Sequence, residues 1–148
     1  AISSTKIRNS INQGELETTK KYLGRFFSLT GKVVKGDGLG KQLDYPTANI
    51  LIEEDYKIIP KDGVYYIRTT IDNKLYNGMM NIGHRPTIGN KAKSIEVNLF
   101  NFDMDIYDKV ISVDVVVKIR DEKKFSSINA LKAQLAKDEE HCLKLINK

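Results

Sequence analysis

Short hydrophobic runs with alternating polar residues fill the middle of the chain and predict β-strands. The run over 64–71 is β-branched and aromatic, and Asp72-Asn73 separates it from a second run over 74–82. A two-residue connection of this kind is typical of a β-hairpin. The further strand candidates lie at 26–35, 47–52, 94–102 and 110–119. Strands without intervening helices favour an antiparallel barrel or sandwich, and we expect the six-stranded barrel because it closes the strand edges.

Helical patterns are confined to the two ends of the chain. Residues 1–24 predict two short helices, with Ser3 or Ser4 as the first cap. Gly14 is expected to end the first helix and Gly24 the second, since glycine readily adopts the left-handed conformation of a helix C-terminus. We expect this segment to be an appendage of the barrel.

The C-terminal segment predicts one longer helix, capped by Ser126 or Ser127. Its apolar positions recur at helical spacing and are Ile128, Leu131, Leu135, Cys142, Leu145 and Ile146. We expect this helix to lie against the barrel. Asp138 falls on the same apolar stripe, where a buried carboxylate needs a partner.

Composition and charge narrow the class of protein. A chain of 148 residues, 41% hydrophobic, suits one globular domain. No run approaches the roughly 18 apolar residues that span a bilayer, and the N-terminal segment lacks the apolar stretch of a signal peptide, so we expect a cytoplasmic protein without a membrane partner. The single cysteine excludes an internal disulfide framework.

The net charge of +5 favours an anionic partner. No block of basic residues is present, which argues against a nucleic-acid partner.

Alternating glycines precede a short polar motif, Pro46-Thr47-Ala48-Asn49. If a strand begins there, Thr47 and Asn49 project to the same face. Two side-chain oxygens beside a loop with exposed backbone N–H groups suit phosphate and a hard cation, although the spacing is not that of a P-loop. The alternative is a simple turn followed by ordinary strand residues. The glycines of the loop are Gly36, Gly38 and Gly40.

Glu96 is a carboxylate in the middle of the predicted strand SIEVNLFNF. Alternation places it with Asn98 and Phe100 on the face opposite to the aliphatic residues of that strand. One interpretation is a general base whose position and pKa are set by a partly enclosed site. The other is a glutamate that faces solvent.

Five motifs follow one another along residues 25–146. They are GKVVKGDGLGKQLDYPTANI, DGVYY, NIGHRPTIG, SIEVNLFNFDMDIYDK and IRDEKKFSS. In this order and at these intervals they resemble riboflavin kinase, which phosphorylates riboflavin to FMN. The ISSTKIR segment at 2–8 resembles the end of the adenylyltransferase domain of bacterial bifunctional FAD synthetases. The resemblance implies that 1–24 is a remnant of that domain with linker helices, and that 25–148 is a riboflavin kinase domain.

The resemblance also implies a six-stranded antiparallel Greek-key barrel with a C-terminal helix, and transfer of the γ-phosphate of ATP, with Mg²⁺, to riboflavin. Glu96 matches the catalytic carboxylate of the family, while Thr47 and Asn49 match the pair that binds Mg²⁺ and the ATP phosphates. Other positions matching nucleotide contacts are Gly36, Gly38, Gly40, Lys41, Leu99, Asn101 and Tyr107. Positions matching flavin contacts are Arg120, Lys123 and Phe125. The NIGHRPTIG motif matches the turn after the hairpin, with His84 expected on the surface of that loop.

Two other classes of function stay open. A flavin- or nucleotide-binding barrel without kinase activity would keep the flavin contacts but lack Thr47, Asn49 or Glu96, and all three are present. A barrel that binds nucleic acid would present exposed aromatic rings on a basic face, and no basic stripe accompanies the candidates. The candidate rings are Tyr65, Tyr66 and Tyr76.

Overall fold

The computed structural model describes residues 3–35, 47–52, 58–87 and 90–147. Within these ranges the elements are α1 Ser4–Asn12, α2 Leu16–Leu23, β1 Phe27–Lys35, β2 Ala48–Leu51, β3 Gly63–Ile71, β4 Lys74–Thr87, β5 Asn90–Leu99, β6 Val110–Asp121 and α3 Ile128–Ile146. The strands form a closed barrel in the order β1-β2-β5-β4-β3-β6, and each neighbouring pair is antiparallel. The predicted six-stranded barrel with helices at both ends is therefore confirmed.

The predicted hairpin is the connection between β3 and β4. Asp72 and Asn73 form its turn with φ values of 52° and 67°. Short polar side chains tolerate this left-handed conformation, and two such residues in succession match the twist of the flanking strands. The register Ile71↔Lys74 begins a ladder that runs to Gly63↔Ile82.

Alternate residues of the strands fill the inside of the barrel, here called the inner core. Val33, Ile67, Met80 and Ile82 are each 0% exposed there. The buried aliphatic residues come from all six strands, so closing the barrel removes one face of every strand from water. The opposite faces, which alternate with these positions, form the outer surface of the barrel.

The N-terminal helices pack on the barrel. Ser3 caps α1 by accepting a hydrogen bond from the backbone N of Lys6, and Gly24 ends α2 in the left-handed conformation, as predicted. Leu16 of α2 belongs to the inner core and is 2% exposed. The expected appendage therefore contributes an apolar side chain to the barrel interior.

The predicted turn after the hairpin is wrong for residues 83–87. These residues continue β4, which pairs with β5 from Gly78↔Leu99 to Thr87↔Asn90. Because β5 begins at Asn90, it provides a backbone partner for β4 beyond the predicted end at residue 82, and the segment is a ladder instead of a turn. His84 therefore lies on a strand, where its Nδ1 atom hydrogen-bonds to Asp62.

Helix α3 covers part of the outer face, as predicted. Ser127 caps it by accepting a hydrogen bond from the backbone N of Ala130 at 3.1 Å. The outer cluster beneath it contains Val64, Tyr66, Met79, Phe100 and Cys142. Ile128 does not join this cluster and is 54% exposed, because the helix meets the barrel only after its first turns. No helix in the described ranges is long and apolar enough to cross a membrane.

Two of the aromatic rings considered for nucleic-acid stacking are buried. Tyr65 is 0% exposed, and its hydroxyl donates to the carbonyl of Lys61 at 2.5 Å. Tyr66 is 5% exposed in the outer cluster and donates to Oδ1 of Asn77 at 2.5 Å. Neither ring offers a free face to a base.

Asp138, which the sequence placed on the apolar stripe of α3, is paired with Arg120. Nε of Arg120 donates to both carboxylate oxygens at 2.9 and 3.0 Å, and Nη2 donates to Oδ2 at 2.8 Å. Nε2 of Gln134 adds a bond to Oδ1 at 2.9 Å. The side chains of Arg120 and Asp138 are only 18% and 4% exposed. This ion pair joins α3 to the end of β6.

We predict that Asp138→Ala lowers the free energy of unfolding by about 3–5 kcal/mol, because removal of one partner leaves the largely buried guanidinium of Arg120 uncompensated. Urea unfolding followed by circular dichroism measures the loss. The matched control is Glu140→Ala, since Glu140 pairs with Lys144 at 3.5 Å on the exposed side of the same helix. That change should cost at most about 1 kcal/mol. Equal losses in the two variants would contradict a special role for the buried pair.

A second prediction concerns Cys142, which is 0% exposed. Burial, with smaller contributions from the charges of Asp138 and Glu139, raises the pKa of its thiol to about 12. At pH 8 the thiolate fraction falls from roughly one quarter, for an ordinary thiol, to about one in ten thousand. The folded chain should therefore react with a thiol reagent far more slowly than the chain in 8 M urea. Comparable rates in the two conditions would be inconsistent with the packing of α3.

Candidate active site

A row of polar side chains crosses the outer face of the barrel. Asn49 on β2 lies directly opposite Glu96 on β5, and Glu96 lies opposite Asn81 on β4. Ile95 and Val97, which flank Glu96 in sequence, are buried in the inner core. The predicted alternation of this strand is therefore confirmed, and Glu96 projects outward between two asparagines.

The same row continues toward α3. Asn81 pairs with Val64 on β3, and Val64 pairs with Arg120 on β6. Neighbouring strands lie about 4.8 Å apart, so the three steps from Glu96 to Arg120 cover about 14 Å along the barrel surface. The ladder thus fixes an order of side chains from the predicted metal pair at one end to the predicted flavin contacts at the other.

A cavity of about 490 Å³ opens beside β2 and the end of β5. Thr47, Leu99, Asn101 and Tyr107 line it, so four of the predicted nucleotide contacts are brought together. Asn101 takes a positive φ of 55°, which turns the chain away from β5 after Leu99. The other predicted contacts, Gly36, Gly38, Gly40 and Lys41, lie outside the described residues.

Apolar residues that the sequence analysis did not assign to a site also line this cavity. They follow β5 and are Phe102, Met104 and Ile106. Their alternation with aspartates in FDMDIYD was the available signal. Lys35 of β1 places its Nζ 5.7 Å from the ring centroid of Tyr107. The cavity therefore combines an apolar wall with polar and cationic groups at its margin, which suits a heterocyclic base with attached phosphates.

Asn49 offers an oxygen without a protein partner. The residue is 8% exposed, and its Oδ1 atom is buried and receives no hydrogen bond from the described part of the chain. Thr47, two residues earlier in the sequence, lines the cavity. The described residues contain no group of three or more His, Cys, Asp or Glu side chains that could hold a metal ion. A hard cation here would therefore bind to neutral oxygens and to the phosphates of a ligand, as Mg²⁺ commonly does.

The three predicted flavin contacts lie together at the other end of the row. The guanidinium of Arg120 and the ammonium of Lys123 are each 5.8 Å from the ring centroid of Phe125. Asp138 fixes the guanidinium from the helix side. An aromatic ring with two cations close to it suits a flat ring system with polar edges.

Glu122 is a second carboxylate near Glu96, and sequence reasoning missed it. A Cβ atom built on Gly83 would lie 2.8 Å from Oε2 of Glu122, so the carboxylate rests over β4 where a side chain is lacking. Partial burial is the main cause of a raised pKa for Glu122, and the negative charges of Asp62 and Glu96 add to it. The signal was its place inside the IRDEKKF motif, between Arg120 and Lys123.

Comparison with known proteins identifies the family of the chain. The family model described as "Flavokinase: Riboflavin kinase" matches residues 23–146. The bifunctional riboflavin kinase/FMN adenylyltransferase of Bacillus subtilis (strain 168) is 36% identical over 97% of the chain and 46% of its own length. The protein of that name from Escherichia coli (strain K12) is 38% identical over 93% of the chain and 44% of its own length. The chain thus spans about half the length of these curated relatives.

Solved structures share the architecture. Riboflavin kinase from Trypanosoma brucei matches with a TM-score of 0.56 and 25% identity, covering 82% of this chain and 80% of its own. A Streptococcus pneumoniae structure named as a macrolide-efflux protein matches with a TM-score of 0.87 and 37% identity, covering 94% of this chain and 45% of its own. The name of that structure describes a different activity, and we use the match only as evidence for the fold. From the family model and the curated relatives, we conclude that the chain belongs to the riboflavin kinase family.

Proposed function

We propose that this chain transfers the γ-phosphate of ATP to the terminal ribityl hydroxyl of riboflavin, giving FMN and ADP. The observation that carries the proposal is the position of Glu96 directly opposite Asn49 across the ladder between β5 and β2. A carboxylate able to accept a proton thus lies beside an amide oxygen able to hold a metal ion. Family membership supplies the reaction class.

Glu96 would accept the proton of the terminal hydroxyl as that oxygen attacks the γ-phosphorus. The new bond joins the ribityl oxygen to phosphorus, the bond to the β-phosphate oxygen breaks, and ADP leaves. In a loose phosphoryl-transfer transition state, alignment and charge stabilisation contribute more than proton abstraction. The fixed register of β2, β5 and β4 supports this role because it holds Glu96 on a strand and not on a mobile loop.

Oγ1 of Thr47 and Oδ1 of Asn49 would hold the metal ion, for which we propose Mg²⁺. A bound Mg²⁺ would supply charge neutralisation for the transferred phosphoryl group. The unpartnered Oδ1 of Asn49 supports the fit, since a buried oxygen without a donor is available to a cation. Nucleotide would occupy the cavity lined by Leu99, Asn101 and Tyr107.

Riboflavin would place its ring system against Phe125, with Arg120 and Lys123 beside it. The direction of the outer row supports this arrangement, because it leads from the metal pair through Glu96 to Arg120. We assign residues 1–24 to the end of an adenylyltransferase domain and linker in a longer protein that also converts FMN to FAD. This assignment draws on the ISSTKIR segment and on the bifunctional names of the relatives. A cytoplasmic location without a nucleic-acid partner fits this chemistry.

The test is incubation with riboflavin, ATP and MgCl₂, with FMN and ADP separated by chromatography. The wild-type chain should form both products in equal amounts. Glu96→Gln should lower kcat by about 10²- to 10⁴-fold, the usual contribution of a general base, while ATP still binds. Glu140→Gln, on the exposed side of α3, is the control and should keep wild-type kcat. Nearly wild-type turnover in Glu96→Gln would overturn the assigned role, and absence of FMN with any divalent metal would favour a non-catalytic binding module.

The metal pair makes a separate prediction. Thr47→Val keeps the side-chain shape but removes the hydroxyl oxygen, so the MgCl₂ concentration for half-maximal activity should rise by about tenfold or more. EDTA should abolish activity, and added MgCl₂ should restore it. Thr70→Val, at an exposed position of β3, should leave the metal requirement unchanged. An unaltered MgCl₂ dependence in Thr47→Val would remove Thr47 from the metal site.

A further inference from the structure

Asn81 lies beside Glu96 in the outer row but matches none of the functional positions assigned above. Its neighbours in sequence, Met80 and Ile82, are both 0% exposed in the inner core. Asn81 therefore projects to the outer face, between Glu96 on β5 and Val64 on β3. This places an amide one strand away from the proposed general base, on the side that leads to the flavin contacts.

The Oδ1 atom of Asn81 is buried and receives no hydrogen bond from the described part of the chain. Oδ1 of Asn49, on the other side of Glu96, is in the same state. Two amide oxygens without donors therefore flank one carboxylate. Most buried oxygens in folded proteins have a donor, so a pair without one is expected where a ligand brings the donor.

The order of the row distinguishes the two oxygens. Asn49 lies on the β2 side of Glu96, where its sequence neighbours Thr47 and Ala48 line the cavity, and suits the metal ion. Asn81 lies on the opposite side, followed by Val64 and then Arg120. A substrate whose terminal hydroxyl reaches Glu96 and whose ring contacts Phe125 would place its polyol chain beside Asn81, because Val64, the next residue of the row, is covered by α3.

We propose that Oδ1 of Asn81 accepts a hydrogen bond from a secondary hydroxyl of the ribityl chain. This inference rests on the proposed kinase function. The hydroxyl would satisfy the buried oxygen and would hold the chain so that the terminal hydroxyl meets Glu96. Asn81 would then be a substrate-binding residue that distinguishes a hydroxylated chain from a deoxygenated one, because an analogue without the hydroxyl leaves the buried oxygen unpaired.

The experiment pairs a side-chain change with a substrate change. Asn81→Leu keeps a similar volume and removes the acceptor, so kcat/KM for riboflavin should fall about 10- to 100-fold while KM for ATP stays within about twofold. Riboflavin analogues that each lack one secondary ribityl hydroxyl are then compared. One analogue should lose a similar factor with the wild-type chain and lose nothing further with Asn81→Leu. The control Asn9→Leu, exposed on α1, should behave as wild type with every substrate.

Each result supports or overturns the inference. If the wild-type chain forms FMN but Asn81→Leu keeps its kcat/KM for riboflavin, the inference about Asn81 is wrong and the kinase function stands. If every analogue loses the same factor in Asn81→Leu as in wild type, the residue has a structural role alone and the inference is again wrong. The comparison of analogues with the wild-type protein does not depend on the folding of any variant. If removal of no single ribityl hydroxyl lowers kcat/KM, no protein group binds a secondary hydroxyl and the inference is wrong. If the wild-type chain forms no FMN, both proposals fail.

Discussion

The candidate site depends on the register of β5 between β2 and β4. Asn49, Glu96 and Asn81 are far apart in sequence and meet because these two ladders place them opposite one another. A slip of one residue would turn Glu96 into the barrel and bring Val97 to the outer face. The inner core prevents such a slip, since Ile50, Val97 and Met80 would have to leave it. Hydrophobic burial inside the barrel thus fixes the chemistry on its outside.

The pairing of β2 with β5 is short, with Ala48↔Val97 and Asn49↔Glu96 as its register positions. β2 is also paired with β1 from Lys32↔Leu51 to Lys35↔Ala48, so its place does not depend on β5 alone. This arrangement suits the site, because Thr47, directly before the strand, lines the cavity and Asn49 follows two residues later. The neighbouring strands β1 and β5 hold β2 in position.

The far end of the site is supported by a different interaction. Arg120 leaves β6 and is held by Asp138 of α3, with Gln134 as a further donor to the same carboxylate. Burying such a pair requires removing both charges from water, so its value lies less in net stability than in fixing the plane of the guanidinium. Phe125 lies close to that guanidinium, which links the packing of the last helix to the proposed flavin contacts.

The sequence by itself determined the parts of this protein that follow from local rules. Period-two alternation placed Glu96 and Asn49 on outward faces, and Asp72-Asn73 predicted the hairpin. The start of the last helix was narrowed to Ser126 or Ser127. Each of these depends on neighbouring residues alone. The motifs that indicate the riboflavin kinase family were also recognisable from the sequence alone. The turn that the family resemblance implied was misleading at 83–87, where pairing with β5 continued the strand.

Only the tertiary structure decided which distant residues meet. The choice of Arg120 as the partner of Asp138, the approach of Glu122 to Gly83, and the place of Asn81 beside Glu96 all depend on strand order and register. Periodicity reports the face on which a side chain lies but not its neighbour on the next strand. Closure of the barrel determines which strands are neighbours, and therefore the order of the groups along the site.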